Sequence, residues 1–428
     1  MNKNRTRQYA IEIVYQARYQ AGYINKELQK VADLSKTDIG LLTALVYGTI
    51  KQYEYLKAIL LEQQPTLKVK KRVEVILVVA LYQFLFLERI PDYAIINAAV
   101  ELTKQYASVE VSRFVNALLR RIFVKREQLI LPVSIHDETD NLALQYSMPA
   151  WLIKLLQAQY GTEKMLVFLQ AIQQPARQFI RLNRLRNIPE ENITKHQWKT
   201  TALPYCYENE KGNSSQTDDF LAGNYTIQNI ASQSVGYFVN PQKYDKILDM
   251  CAAPGGKTTH LAELTEDTAE IIALDLYEHR VKQIDQNTKR LAITGITTKA
   301  ADARFFLDEK GFDKILLDAP CSGLGVLAQK PEIRYTITPA AFDELENLQR
   351  TLLDTAWQNL REQGVLIYST CTINRKENEK QIQQFLKKYP DANFLEERLF
   401  FDEMQQGFAG FYMAKIQKGA TIIEGESR

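Results

Sequence analysis

The stretch KILDMCAAPGGKTTHLAEL, residues 246–264, decides the fold. It opens on the apolar pair Ile247-Leu248, closed by Asp249. It then runs through Cys251-Ala252-Ala253-Pro254-Gly255-Gly256 into a helical rhythm. A buried strand, a turn of small residues and a helix N-terminus in that order begin a βαβ unit. The paired glycines let backbone amides approach a ligand closely at the start of that helix. Lys257-Thr258 imitates the end of a phosphate-binding P-loop. That loop needs a further glycine five positions before its second Gly, where Cys251 stands. A nucleotide hydrolase is therefore the weaker reading.

Downstream the alternation continues. Strand-like runs IIALD (271–275), ITTKAAD (296–302), KILLDAP (314–320) and GVLIYSTC (364–371) are separated by helical runs at 279–291 and 339–360. This pattern predicts a parallel, doubly wound α/β sheet, whose ligands bind beyond the carboxyl ends of the strands. Asp275, 26 residues after Asp249, ends the second strand, where a ribose diol is held in Rossmann-like sites. Asp302 ends the third, placed for an adenine edge. With the glycine turn, these acids fit one adenosine-bearing ligand carrying an amino-acid tail rather than a pyrophosphate.

The fourth strand ends in Asp318-Ala319-Pro320-Cys321 and the fifth in Ser369-Thr370-Cys371. A buried cysteine is by default a small inert hydrophobe. If strands four and five are neighbours, however, both thiols enter one crevice beside the adenosine site. Carbon 5 of cytosine is too weak a nucleophile to attack a sulfonium methyl directly, whereas addition of a thiolate at carbon 6 makes it enamine-like. A thiol with a pKa near ~8.5 supplies some thiolate at neutral pH. A neighbouring carboxyl can hydrogen-bond the N3/N4 edge of the base. The carbon 5 proton and the cysteine must then leave, which needs a helper group. The base must be unstacked or single-stranded to reach the site.

Upstream, from Tyr9 to about Lys125 the pattern is helical, with apolar steps of three and four and breakers at Gly22, Pro65 and Pro91. Ser35, with Asp38 three residues on, reads as an N-cap. Five or more such helices predict an all-α bundle. The character changes near Leu131-Pro132. Helices are expected over 142–173, then short strands in QFIRLNRL (178–185), ALPYCYEN (202–209) and NYTIQNI (224–230), with EKGNSSQTDD (210–219) as an exposed loop. The segments are thus 1–130, a helical bundle; 131–232, a linker and small α+β extension; and 233–428, the α/β domain.

Charge follows the same division. The net charge is only +2, yet residues 1–130 carry 20 Lys/Arg against 12 Asp/Glu, and residues 231–428 carry 24 against 29. A basic first segment, densest at KVKKR (68–72), points to a polyanion such as RNA. A solvated helix face is the plainer reading of that cluster taken alone. A non-catalytic RNA-binding module is the second rival to an enzyme. The absence of any apolar run near ~18 residues speaks against a membrane span, and the polar N-terminus against a signal peptide. Four dispersed cysteines and the histidines His136, His196, His260 and His279 offer neither a disulfide framework nor zinc-ligand spacing. A cytoplasmic, metal-free monomer is expected.

LDMCAAPGGKT (248–258), LLDAPCSGLGV (316–326) and YSTCT (368–372) resemble the signatures of the Nop/Sun family of RNA cytosine-5 methyltransferases. IQNIASQ (227–233), KPEIRY (330–335) and ENEKQI (377–382) extend the match over roughly 220–416. The resemblance implies a Rossmann-like class I methyltransferase domain using S-adenosyl-L-methionine. It makes Cys371 the nucleophile and Cys321 the residue that assists product release. Asp318 would contact the cytosine, with Lys257 nearby. Cys251, Ala252, Ala253, Pro254, Gly255, Gly256, Lys257, Asp275, Asp302 and Asp318 would form the cofactor site. The front of the chain, YAIINAAVELTKQY (93–106) and RFVNALLRRI (113–122), looks like the NusB-type RNA-binding fold. The middle segment would be an RNA-recognition-like extension. This combination is similar to bacterial methyltransferases of small-subunit (16S) ribosomal RNA, which implies that substrate, with another RNA such as tRNA as the alternative. The family usually carries Asp where Asn229 and Ala409 stand.

Overall fold

The structure, a computed structural model, describes residues 3–129, 137–210, 214–215 and 217–420. The change of character at Leu131-Pro132, and His136, lie outside the described residues. Contacts divide the chain into two compact units, one of residues 1–169 with 329–337, the other of 170–328 with 338–428.

The first unit is the expected all-α bundle. The helix Lys71–Phe86 is its hub, with Val73 and the continuous run Val75–Leu81 buried. A helix apolar on nearly every face can only be satisfied by being surrounded. The helices Lys3–Tyr19, Lys36–Lys51, Tyr53–Gln63, Asp92–Tyr106 and Val109–Phe123 supply the surrounding apolar faces. Ser35 caps the helix Lys36–Lys51 by accepting from the amide of Asp38 at 3.2 Å. The KPEIRY motif, which the sequence attaches to the α/β domain, packs inside this unit. Arg334 is 1% exposed and donates to the carbonyls of Lys51 (3.1 Å) and Tyr146 (3.0 Å). The Tyr335 hydroxyl donates to Ile50 O (2.8 Å). Burial of a guanidinium is tolerable because carbonyls replace its water.

The second unit holds two sheets. Strands β1 (Gln178–Leu182), β2 (Lys199–Thr200), β3 (Cys206–Asn209) and β4 (Tyr225–Ile227) form a small antiparallel sheet in the order β2-β3-β1-β4. Of the polar stretch 210–219 expected as an exposed loop, residues 211–213 and 216 lie outside the described residues; Glu210 and Ser215 are exposed, whereas Ser214 is not. Ser214 is 5% exposed, and its carbonyl accepts from the Tyr225 hydroxyl at 2.7 Å.

Strands β5 (Lys246–Asp249), β6 (Glu270–Asp275), β7 (Ile296–Ala300), β8 (Phe312–Asp318), β9 (Leu360–Thr370), β10 (Ala392–Phe400) and β11 (Phe411–Lys418) form the large sheet. Its order is β10-β11-β9-β8-β5-β6-β7. The five strands β7-β6-β5-β8-β9 are parallel, and β11 and β10 close the β9 edge antiparallel. Alternate residues serve opposite faces. Leu248, Ile315 and Leu317 pack with Leu352, Ala356 and Trp357 of the helix Pro339–Asn359. Ile247 and Leu316 pack with Val235 of the helix Ile230–Val239 and Leu261 of the helix Gly256–Leu264. This is the doubly wound arrangement, and β5 sits at its switch point, between β6 and β8. Among the described residues, no helix is long and apolar enough to cross a membrane.

Candidate active site

Three strand ends build one crevice: β5 with the glycine turn, β8 with Asp318 and Cys321, and β9 with Cys371. At the first, Ala252 N donates to Leu274 O (2.8 Å) and Gly255 N to Ala252 O (2.7 Å), folding the turn back on the sheet. Gly255 has φ +96°, which favours glycine, and a Cβ there would lie 3.1 Å from Ile284 Cγ2. The helix that follows presents its first amides to the crevice. From behind, Arg280 donates to Ala253 O (3.1 Å) and Asn287 to Pro254 O (2.8 Å).

Asp249 is buried, and its Oδ2 accepts from the Thr258 hydroxyl at 2.7 Å. Its Oδ1 has no hydrogen-bond partner among the described residues. Burial pushes this carboxyl up to about 7, Asp318 adds to the rise, and Thr258 and Lys257 oppose it. Asp275 ends β6 at 3% exposure, with Arg280 3.4 Å from its carboxylate. Asp302 lies two residues past β7, and its carboxylate is forked by Arg304 at 2.6–3.1 Å, which holds it below the usual range. An orphaned buried carboxylate oxygen, a side-chain-free turn and a buried acid at the next strand end suit a ligand carrying an amine, a ribose diol and positive charge. These residues therefore fit S-adenosylmethionine. The Cys251 thiol is pushed up by burial and by the surrounding acids, so it stays neutral there.

At the second strand end, Lys257 Nζ donates to Asp318 Oδ2 at 2.6 Å, and Ser369 Oγ to Asp318 Oδ1 at 2.9 Å. Burial alone would lower the Lys257 ammonium, but Asp318 and Cys371 hold it raised. It is therefore a permanent cation within electrostatic reach of the Cys371 sulfur. Cys321 and Cys371 face each other, Sγ to Sγ, at 3.4 Å. Both are free thiols. The Cys321 thiol is driven up by its hydrogen bond to Cys371, by burial, and by the charges of Cys371 and Glu377. Of the pair, Cys371 is the one whose charge bears on the Lys257 cation.

The turn after Cys321 is sewn to Cys371. Gly325 N donates to Cys371 O (3.0 Å), and Gly410 N to Gly325 O (2.8 Å). A Cβ on Gly325 would lie 1.8 Å from Gly410 O, so only glycine allows this approach. Asn229 and Ala409 meet in the same structure: Asn229 Oδ1 accepts from Ala231 N (3.0 Å) as a helix cap and from Ala409 N (3.3 Å). Asn229 therefore accepts as a carboxylate would, without the charge.

Sequence reading passed over Ser369, Glu377 and Arg181. Arg181 of β1, 1% exposed, pairs with Glu263 (2.8 Å) and donates to Gly256 O (2.6 Å), tying the small sheet to the glycine turn. The signal was an Arg inside the apolar run QFIRL, which a buried strand does not carry without a partner. Among the described residues, no group of three or more His, Cys, Asp or Glu could hold a metal ion.

Residues 236–417 match the family model described as 16S rRNA methyltransferase RsmB/F, and residues 4–123 match the NusB family. A Bacillus subtilis (strain 168) protein described as a probable ribosomal RNA small subunit methyltransferase B is 34% identical, over 91% of this chain and 90% of its own length. A ribosomal RNA small subunit methyltransferase B of Salmonella paratyphi A is 31% identical, over 97% of this chain and 99% of its own. Among solved structures, PH0851 aligns with a TM-score of 0.81 at 25% identity, over 96% of this chain and 98% of its own. NSun6 from Pyrococcus horikoshii with SFG shares the fold, with a TM-score of 0.57 at 23% identity, over 64% of this chain and 98% of its own.

Proposed function

Because the chain belongs to the RsmB/F family of 16S rRNA methyltransferases, with a NusB family domain at its front, we propose that it methylates carbon 5 of a cytosine in small-subunit ribosomal RNA through a covalent adduct on Cys371. The observation that carries this reading is the pair of facing thiols, 3.4 Å apart, beside a carboxylate fixed by Lys257 and Ser369. A methyltransferase acting on a nitrogen or a ribose oxygen has no use for two such thiols.

S-adenosyl-L-methionine supplies the electrophilic methyl group. Cys251 to Lys257, Asp275, Asp302 and Asp318 would hold it. Asp318 accepts from the N4 amino group of the cytosine, and its two clamps keep it aimed without reorganisation. The Lys257 charge favours the thiolate of Cys371, which adds to carbon 6. The S–C6 bond forms, and the electron pair of the C5–C6 double bond becomes available at carbon 5. After methylation, the carbon 5 proton leaves to water and the S–C6 bond breaks, restoring the double bond. Cys321, still a thiol, donates a hydrogen bond to the departing Cys371 sulfur. The residues of 1–130 hold the RNA, those of 131–232 form an RNA-recognition-like extension, and those of 233–428 carry the chemistry. In the first segment Arg72 pairs with Glu12, and Lys71 lies over the Tyr19 ring. Lys68 and Lys70 are exposed along an open groove of about 690 Å³ with Ala107 and Ser108. Phosphates suit such a groove.

The test is to incubate the full chain with 16S ribosomal RNA and S-adenosylmethionine, digest the RNA and separate the nucleosides. 5-Methylcytidine is expected. A methyl group on any other atom would overturn the reading.

A further inference from the structure

Glu377 lies six residues past Cys371 and is 0% exposed. Four donors converge on its carboxylate. They are Ser322 N (2.8 Å) and Ser322 Oγ (2.5 Å), Asn374 Nδ2 (3.0 Å) and Gln349 Nε2 (3.1 Å). None of these donors is a cation. Ser322 is the neighbour of Cys321, and Asn374 belongs to the turn after Cys371. Around this hub, Ser322 Oγ meets Thr372 Oγ1 at 2.7 Å, and Gln349 also donates to Pro320 O at 2.9 Å. Asn378, next in sequence, donates to Thr372 O at 3.0 Å and accepts from Thr370 Oγ1 at 2.6 Å. Both residues flanking Cys321 and the residue after Cys371 thus lead back to one carboxylate or its immediate partners.

We propose that Glu377 is a positioning residue that sets the separation of Cys321 and Cys371 and keeps their roles distinct, an assignment that rests on the covalent-adduct reading above. A buried anion surrounded by neutral donors is expensive to keep, since its solvation by water is lost. If its only task were to join two loops, a neutral side chain could serve. Its charge acts on Cys321, which is disfavoured as a thiolate by Cys371, by burial and by Glu377. Geometry and charge therefore act together. The clamp holds the two sulfurs in contact, and the carboxylate opposes ionisation of Cys321.

Glu377→Gln preserves shape, removes the charge and replaces one acceptor oxygen with a donor. Assayed as the full chain with 16S ribosomal RNA, it is expected to lower kcat by about tenfold to a hundredfold, the scale of a misplaced reacting group. KM for RNA and for S-adenosylmethionine should stay within about twofold, because neither substrate is held by this residue. The alkaline limb of the kcat–pH profile should move to lower pH, as Cys321 loses its proton more easily. Ser322→Ala keeps the charge and the backbone bond but loses the hydroxyl bonds. It is expected to lower kcat without moving that limb. Wild-type kcat in Glu377→Gln would overturn the inference, as would a fall in kcat with no movement of the limb. Should Glu377→Gln fail to fold, Ser322→Ala decides alone, and wild-type kcat there sinks the inference. The underlying reading has its own control. If neither Cys321→Ala nor Cys371→Ala, with Glu377 intact, traps an RNA adduct, the covalent mechanism fails. If that adduct forms while Glu377→Gln is silent, only the positioning role fails.

Discussion

Asp249 shows how one carboxyl can belong to a site before any ligand arrives. It is buried, with one oxygen on Thr258 and the other without a partner among the described residues. Burial takes it to about 7, well above the ~3.9 of an unfolded chain. A value raised on folding contributes stability that is complete below pH ~4 and is lost as the pH climbs through about 7. The ligand-free protein should therefore lose stability between about pH 4 and about pH 7 and level off above that, and Asp249→Asn should flatten that decline. Urea midpoints across the range would check it, and an unchanged slope in Asp249→Asn would mean that another group titrates. Lys257 and Asp318 show the complementary case. Each is held by the other at 2.6 Å, so neither has to be reoriented when a base enters.

The elements explain what sequence could and could not convey. Strands β5, β6 and β8 were legible because each is a short, largely buried run ending in an Asp, and the buried end of β9 because it runs into Cys371. The glycine turn was legible because few residues tolerate its geometry. The hairpin of β10 and β11 was not, since β10 is exposed along most of its length and carries no apolar alternation. KPEIRY reads as part of the α/β chain, but only tertiary packing reveals that Arg334 is buried among carbonyls of the helical unit. Arg181 belongs to the same class: its partner Glu263 lies 82 residues away, beyond any local pattern. Both are at most 1% exposed, so removing one strands the other. Arg181→Met should lower the unfolding free energy by about 3–5 kcal/mol, and adding Glu263→Leu should recover most of it. Denaturant unfolding of the single and the double variant measures this, and a single-variant loss below about 1 kcal/mol would contradict the account.

At the scale of the molecule, the division of charge matches the division of labour proposed. The basic excess lies within residues 1–130, and the α/β residues 231–428 are net acidic. Phosphate is drawn to the basic residues, while the net acidic remainder avoids unspecific contact with it. Ordering of the two thiols is the claim on which the rest depends, and it needs the whole chain with RNA and S-adenosylmethionine present. The most direct measurement is gel analysis under denaturing conditions of 16S ribosomal RNA incubated with the Cys371→Ala and Cys321→Ala proteins. Cys371→Ala should form no RNA-linked species and transfer no methyl. Cys321→Ala should accumulate a stable protein–RNA band. Accumulation in Cys371→Ala instead, with none in Cys321→Ala, would show that Cys321 attacks and contradict the account.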